Sequence, residues 1–471
     1  MKDKFKSTLK KAGEKANKLA QTAAERRLRV AVTGLSQSGK TAFITSLVHH
    51  LTSEGSAQHF PFFDVMLEGR WLGGKIAPQY ELNVPPFPYK PALQSVFSDP
   101  PQWPESTKGI TQVSLEIRFL TEHPIKKSLG AYSTIYLDLI DYPGEWLLDL
   151  CMLRLSFKEW CQLISNTMHG QKKEFAAEFI SALDLLDIHA GHDPDEIKQL
   201  SDLYKGWMVK ARSAQLGYLF LPGRFLLPGD LDGAPMLDFF PVLDWHTLPD
   251  VIEGERHSTL QELNTRFEAY KKHVVMPFYE TWFKRIDRQV VLVDCLSALN
   301  QGHESMNEML ESVELILKNF SYGQTSWLAR IVKPRISKIL VAATKADHVT
   351  PEQHENLVSL IQDMTSLSRK NAKFEGIEEN AIALSSIRAT EHGEVEDSGA
   401  LYSCIQGTTP DGNRKTLFPG DVPNYFPTPH IWHTHNFDFP TFLPPKLPVA
   451  SELPHIRMDQ ALQFLIGDKL V

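Results

Sequence analysis

Apolar residues along this chain fall into short unbroken runs, strict alternations and helical stripes, and each predicts an element. Arg29–Thr33 reads as a short buried strand, with a glycine-rich turn and a helical run from Lys40 to Leu51 behind it. Val113–Phe119 alternates as a half-buried strand does, and Ser133–Asp141 reads as another. The connection between them, with Pro124 and Gly130, predicts an antiparallel pair. Helical periodicity runs through 146–210, with Phe175, Phe179, Leu183 and Leu186 on one stripe, and returns over Leu260–Ile286. Gln289–Asp294 is a continuous apolar strand, and Ser305–Phe320 sets Met306, Met309, Val313, Leu317 and Phe320 on one helix face. Two more buried strands, Lys338–Thr344 and Ala381–Ser385, flank a helical stretch over Pro351–Ser368. Residues 54–109 read as a long irregular excursion. The tail from Arg388 reads as an acidic loop, a Pro-rich stretch over 409–454 and a closing helix at Met458–Ile466. Strands alternating with helices predict an α/β fold, a doubly wound and mostly parallel sheet covered on both faces.

Composition adds limits. At 471 residues and 42% hydrophobic, the chain has material for a sizeable core. No apolar run approaches the ~18 residues that span a bilayer, and no secretory signal is seen, so a soluble intracellular protein is expected. Four scattered cysteines with no CxxC pair argue against a disulfide framework or a zinc site. The net charge of -8 is uneven, because residues 1–29 hold ten Lys/Arg against three acidic residues. Phe5, Leu9, Ala12, Ala16, Leu19 and Ala23 form a stripe there, opposite a cationic face. That stripe suits either a helix docking on an anionic membrane surface or a protein partner, or a solvated helix resting on the body.

The strongest chemical signal is Gly34-Leu35-Ser36-Gln37-Ser38-Gly39-Lys40-Thr41, set between a strand and a helix. This is the GxxxxGK[ST] phosphate loop. Its glycines let backbone N–H groups and a helix N-terminus face a phosphate chain, so Gly34, Ser36, Gln37, Ser38, Gly39, Lys40, Thr41 and Ala42 form the nucleotide-binding set. Lys40 can reach the β- and γ-phosphates, and the Thr41 hydroxyl can ligate Mg²⁺. A second element ends the strand at Asp141, followed by Tyr142-Pro143-Gly144-Glu145. Asp141 would hold Mg²⁺ through its water shell, and the Gly144 N–H could contact the γ-phosphate, unless the tetrapeptide is a plain β-turn. Thr107, in Trp103-Pro104-Glu105-Ser106-Thr107, resembles the threonine by which GTPases ligate Mg²⁺ when the γ-phosphate is present, with Thr111 as the alternative, unless both are exposed loop residues.

Thr344-Lys345-Ala346-Asp347, after a buried strand, resembles the [N/T]KxD motif of GTPases, in which a carboxylate accepts two hydrogen bonds that guanine can donate and adenine cannot. Ser385-Ser386-Ile387 resembles the loop whose backbone closes over the guanine. Taken together, these motifs and the Trp-Pro-x-x-Thr run resemble the YcjX family of bacterial P-loop GTPases across essentially the whole chain. That resemblance implies GTP as substrate, GDP and phosphate as products, and a stress-associated regulator. It also implies a cytoplasmic location, peripheral at the inner face of the membrane where a membrane partner is engaged, and no nucleic acid is expected. Lys40, Gly144 and Glu145 are the expected catalytic groups. Glu145 stands where many GTPases have glutamine, and its charge near the γ-phosphate predicts slow turnover.

The motif spacing predicts five parts: a basic N-terminal helix (1–28), a GTPase domain in two parts (29–145 and 288–400) around a helical insertion (146–287), and a C-terminal extension (401–471). A P-loop ATPase or kinase, or a membrane-docking protein with structural nucleotide, is the alternative. Arg154 reads as an internal arginine finger or a helix-surface arginine. His430, His433, His435 and Asp438 read as a metal cluster or as part of an aromatic strand, and Glu391, Glu394, Glu396 and Asp397 as a solvated loop.

Overall fold

The computed structural model describes residues 26–35, 37–53, 59–107, 109–122, 132–252, 257–320, 336–397, 399–434, 437–449 and 451–471. The predicted basic helix falls almost wholly outside them, as do Ser36 and His435.

Alternate residues of β1 (Arg26–Gly34) serve two cores. Leu28, Val30 and Val32 join one and Ala31 joins the other, as a strand covered on both faces requires. The strand starts at Arg26, three residues before the apolar run that predicted it. Six more strands complete its sheet: β2 (Trp71–Ala77), β3 (Thr111–Leu120), β4 (Tyr132–Asp141), β5 (Arg288–Val293), β6 (Lys338–Ala343) and β7 (Glu378–Ala383). Their spatial order is β2-β3-β4-β1-β5-β6-β7. Pairing is parallel from β4 through β7 and antiparallel for β3 with β4 and for β2 with β3. The fold is α/β, with β1 flanked by β4 on one side and β5 on the other. The chain passes from β1 to the β2–β4 side and then crosses from β4 to β5 on the other side of β1. This reversal of strand order opens a crevice beyond the C-terminal end of β1.

One face of the sheet carries α1 (Lys40–Thr52) and the C-terminal helix (Met458–Ile466), through Phe43, Ile44, Leu47, Met458, Leu462 and Leu465. The other carries the helices of residues 144–285 together with those that follow β5 and β6. α2 (Gly144–Leu148), α3 (Phe157–Thr167), α4 (Pro194–Ser213) and α5 (Thr259–Tyr270) pack through Trp160, Tyr204, Trp207, Phe267 and Tyr270. α6 (Cys295–Gln301) and α7 (His303–Phe320) follow β5, and Met306, Met309, Val313, Leu317 and Phe320 of α7 are all buried.

Two regions depart from expectation. The supposed irregular excursion contains β2 at the sheet edge, where Leu72 and Ile76 are exposed, so neither alternation nor burial advertised it. The supposed acidic loop is β8 (Thr390–Asp397), which forms a second antiparallel sheet with β9 (Ala400–Thr408) and β10 (Arg414–Leu417). Glu391, Glu394 and Glu396 face solvent from it, and Glu391 pairs with Arg414 at 2.6 Å.

Candidate functional site

At the end of β1 the chain turns through Gln37 and Gly39, at φ +62° and +84°, before α1 begins at Lys40. Glycine at 39 suits this left-handed backbone. Gly34 is constrained differently, since a Cβ there would lie 2.7 Å from the Leu292 carbonyl oxygen of β5. The Lys40 ammonium folds back and donates to the Gly34 carbonyl at 2.9 Å. The Ser38 hydroxyl is buried with no hydrogen-bond partner among the described residues.

Asp141 closes β4 beside this turn and is fully buried. One carboxylate oxygen accepts from the Thr107 hydroxyl, and the other has no partner among the described residues. Burial raises the Asp141 carboxyl above its ordinary range, against the pull of the Lys40 charge and the Thr107 hydrogen bond. Thr111 opens β3 opposite Asp141 in register, but its buried hydroxyl makes no hydrogen bond among the described residues. Gly144 comes so close to the turn that a Cβ would lie 2.4 Å from the Gly34 carbonyl oxygen. The Glu145 side chain pairs with Arg212 of α4 at 2.8 Å.

A second group of residues converges from the ends of β6 and β7. Lys345 sits in the left-handed region at φ +59°, and its ammonium meets Asp294, at the end of β5, at 2.5 Å. Burial opposes the Asp294 charge, but the Lys345 ammonium and Ser297 outweigh it and hold the carboxyl below its usual range. Asp347 is buried and accepts the Ala389 N–H at 2.7 Å, while the Ala346 N–H donates to the Leu384 carbonyl at 3.1 Å. These bonds lock Thr344–Asp347 to the loop carrying Ser385, Ser386 and Ile387. That loop is braced in turn by paired backbone hydrogen bonds between Ser385 and Ile456 at 3.1 and 2.9 Å.

Both groups line one cleft of about 400 Å³. Gln37–Ala42 form its floor, Trp103 and Thr107 one wall, and Thr344, Lys345, Asp347 and Ser385–Ile387 the far end. Gly34, Asp141, Gly144 and Glu145 are not among the lining residues. Residues without a sequence signal complete the far end: His348, Pro410, Thr441, Phe442 and Leu443. The His348 ring meets Phe442 edge-on at 5.0 Å, and the Trp103 indole N–H donates to the Phe442 carbonyl at 2.7 Å. Asp294 was also missed, although a carboxylate directly after the apolar run Val290–Val293 was a signal that could have found it.

The remaining candidates lie elsewhere. Arg154 donates to Asn319 at 2.8 Å. His430 and His433 are exposed, and no group of three or more His, Cys, Asp or Glu suited to a metal occurs among the described residues. All four cysteines are buried free thiols. No helix among the described residues is long and apolar enough to cross a membrane.

Residues 28–470 match the model of the YcjX-like family, DUF463. The chain is 41% identical over 481 aligned residues to the Ras-like GTPase YcjX of Shewanella oneidensis, covering 98% of this chain and 99% of the relative. It is 38% identical over 465 residues to the Ras-like GTPase YcjX of Escherichia coli strain K12, covering 98% and 100%.

Proposed function

Starting from the chain's membership of the YcjX-like family, to which it belongs over nearly its whole length, we propose that it binds GTP in this cleft and hydrolyses it slowly to GDP and phosphate. The observation that carries the reading is one cleft lined at one end by Gln37–Ala42 and at the other by Thr344–Asp347 and Ser385–Ile387. The distance between two separate recognition chemistries is then bridged by a single elongated ligand, a nucleoside triphosphate.

Lys40 would exchange the Gly34 carbonyl for phosphate oxygens, gaining charge-assisted hydrogen bonds in place of a neutral one. The Gly39 turn would present backbone N–H groups to the same oxygens. Asp347 would accept from the guanine edge while Ala389 holds its carboxylate in place. The Thr41 and Thr107 hydroxyls and the unpartnered oxygen of Asp141 make an all-oxygen donor set, which fits Mg²⁺. Bound there, Mg²⁺ would neutralise charge developing on the phosphates. The Gly144 N–H, beside Gly34, would sense the γ-phosphate.

The finer assignments are part of the same proposal: a regulator in stress or envelope response, peripheral at the inner membrane face, docked on anionic lipid or a membrane protein through the basic residues of 1–29. Sedimentation with anionic liposomes, with and without residues 2–27, tests the docking. Loss of binding on deletion is expected, and no difference counts against it.

The deciding experiment is competition among GTP, ATP and XTP with Mg²⁺, on wild type and Asp347→Asn. Wild type should prefer GTP, and the variant should shift towards XTP by roughly 100-fold or more in relative affinity, as an exchange of buried hydrogen-bond donors and acceptors predicts. Equal ATP and GTP binding, unchanged by the substitution, would hand the site to an ATPase or kinase.

A further inference from the structure

α4 is anchored in the helical core by Tyr204, Trp207, Met208 and Ala211, and its last turn reaches the phosphate loop. Two contacts are made there. Arg212 pairs with Glu145 at 2.8 Å, and Gln215, just past the helix, donates to the Gln37 side chain at 3.1 Å. Glu145 is also gripped through its backbone, because Gly223 approaches so closely that a Cβ would lie 2.3 Å from the Glu145 carbonyl oxygen. Gly223 is itself held by its N–H to Asp149 at 2.6 Å, and the Tyr270 hydroxyl donates to the same carboxylate at 2.6 Å.

Leu35, Gln37, Glu145, Arg212 and Gln215 border a small pocket of about 40 Å³, and Gln37 lines this pocket and the large cleft alike. The space suits one or two waters, with polar groups on several sides.

We propose that Arg212, contributed by the helices inserted between β4 and β5, is a positioning residue for GTP hydrolysis that acts through Glu145. This rests on the GTPase reading above. A lone carboxylate following Asp141-Tyr142-Pro143-Gly144 would be repelled by the γ-phosphate. Paired with a guanidinium it forms a neutral unit that can stand beside the phosphates and accept a hydrogen bond from the attacking water. The pair is mostly shielded, with side-chain exposures of 27% for Arg212 and 7% for Glu145, so solvent screens it only in part. The inserted helices are thus a built-in partner of the catalytic loop.

The test compares the full-length wild type with Arg212→Ala, Arg212→Lys, Glu145→Gln and the Arg212→Ala/Glu145→Gln double variant. Each is assayed for steady-state GTP hydrolysis and for affinity towards a fluorescent, non-hydrolysable GTP analogue. Arg212→Ala should lower kcat by roughly 10- to 100-fold while analogue affinity stays within about threefold, the pattern of an interaction realised only in the transition state. Arg212→Lys should recover part of the loss. In the Glu145→Gln background, removing Arg212 should cost nothing further, because residues acting as a unit are not additive. If Arg212→Ala does not fold, Arg212→Gln, which keeps length and polarity but not charge, is read in its place. A kcat within twofold of wild type, or losses that multiply in the double variant, would overturn the inference. Failure of the wild type to bind GTP at all would instead overturn the reading on which it rests.

Discussion

The two ends of the cleft are built in different ways. The end proposed to hold phosphates is nearly self-sufficient: one turn between β1 and α1 supplies its floor, with Asp141 and Gly144 folded against it. The far end has no such continuity. It is assembled from 344–348, 385–389, 410 and 441–443, and Ile456 braces it from behind. Wrapping an anion in backbone N–H groups needs only a local conformation, so a short motif can specify it. On the proposed reading a flat base needs walls on several sides, and some of them, Pro410 and Thr441–Leu443, come from the C-terminal extension. The phosphate end should therefore be brittle to single substitutions, and the far end graded.

The largest effect is expected at the brittle end. Lys40→Ala removes the ammonium that folds over the turn, and truncating such a charged contact costs about 3 kcal/mol or more. Nucleotide affinity should fall by roughly 150-fold or more, for GTP and GDP alike. Titration with fluorescent analogues of both measures it. Unchanged affinity would reduce the phosphate turn to a structural loop and remove the contrast between the ends.

That contrast also explains what could be read from the chain alone. The phosphate turn, the strand ending in Asp141 and the Thr344–Asp347 segment were legible because each is a short pattern in a defined local setting. α7 and the closing helix were legible for the same reason, their apolar residues keeping a 3.6-residue period. β2 escaped because Leu72 and Ile76 stand in solvent while glycines occupy 73 and 74, so the strand shows no apolar alternation. β8 escaped because Glu391, Glu394 and Glu396 looked like a loop, whereas its pairing with β9 is backbone chemistry that tolerates charge on a wet face. His348 and Thr441–Leu443 carry no motif, since their place at the cleft depends on where the extension lies once folded. Arg212 is the same case, 67 residues from the Glu145 it meets.

Acid should separate the two ends next. His50 of α1 is packed against Phe60 and His455, with ring centroids 4.8 and 5.0 Å away. Burial, and then the neighbouring His455, His49 and His59, lower its pKa from 6.5 to about 2. Glu452 and Asp459 are the acidic groups at this cluster, the first paired with His59 and the second acting on His455. The folded state binds fewer protons than the unfolded one, so the contribution is whole above pH 6.5 and is lost as pH falls. Between pH 7 and pH 5 the loss comes to about 2 kcal/mol from His50 alone. His50→Leu should lose about 2 kcal/mol less than wild type over that interval, read from urea unfolding at both values. His455 adjoins Ile456, the brace of the Ser385 loop, so preference for GTP over inorganic triphosphate should also fade with acid in wild type. Equal stability losses in the two proteins would show that the extension is not held through His50.

The smallest effect is expected where the two ends meet. Trp103 donates its indole N–H to the Phe442 carbonyl at 2.7 Å, and four residues later Thr107 donates to Asp141. The segment 103–107 is thus tied to Phe442 of the far wall at one end and to Asp141 at the other. Trp103→Phe keeps most of the ring contact and removes one hydrogen bond, worth about 1 kcal/mol or roughly fivefold in affinity because the indole is partly exposed. If the segment only walled in the base, GTP and GDP would weaken equally, since both carry guanine. If it conveys the presence of the γ-phosphate from Thr107 to Phe442, the triphosphate must lose more, because only its complex holds Thr107 in place at the other end. We expect the larger loss for a non-hydrolysable GTP analogue, with GDP changed by less than about twofold. Equal losses would make Trp103 a wall and leave the two ends of the cleft energetically separate, as their construction from separate chain segments would on its own suggest.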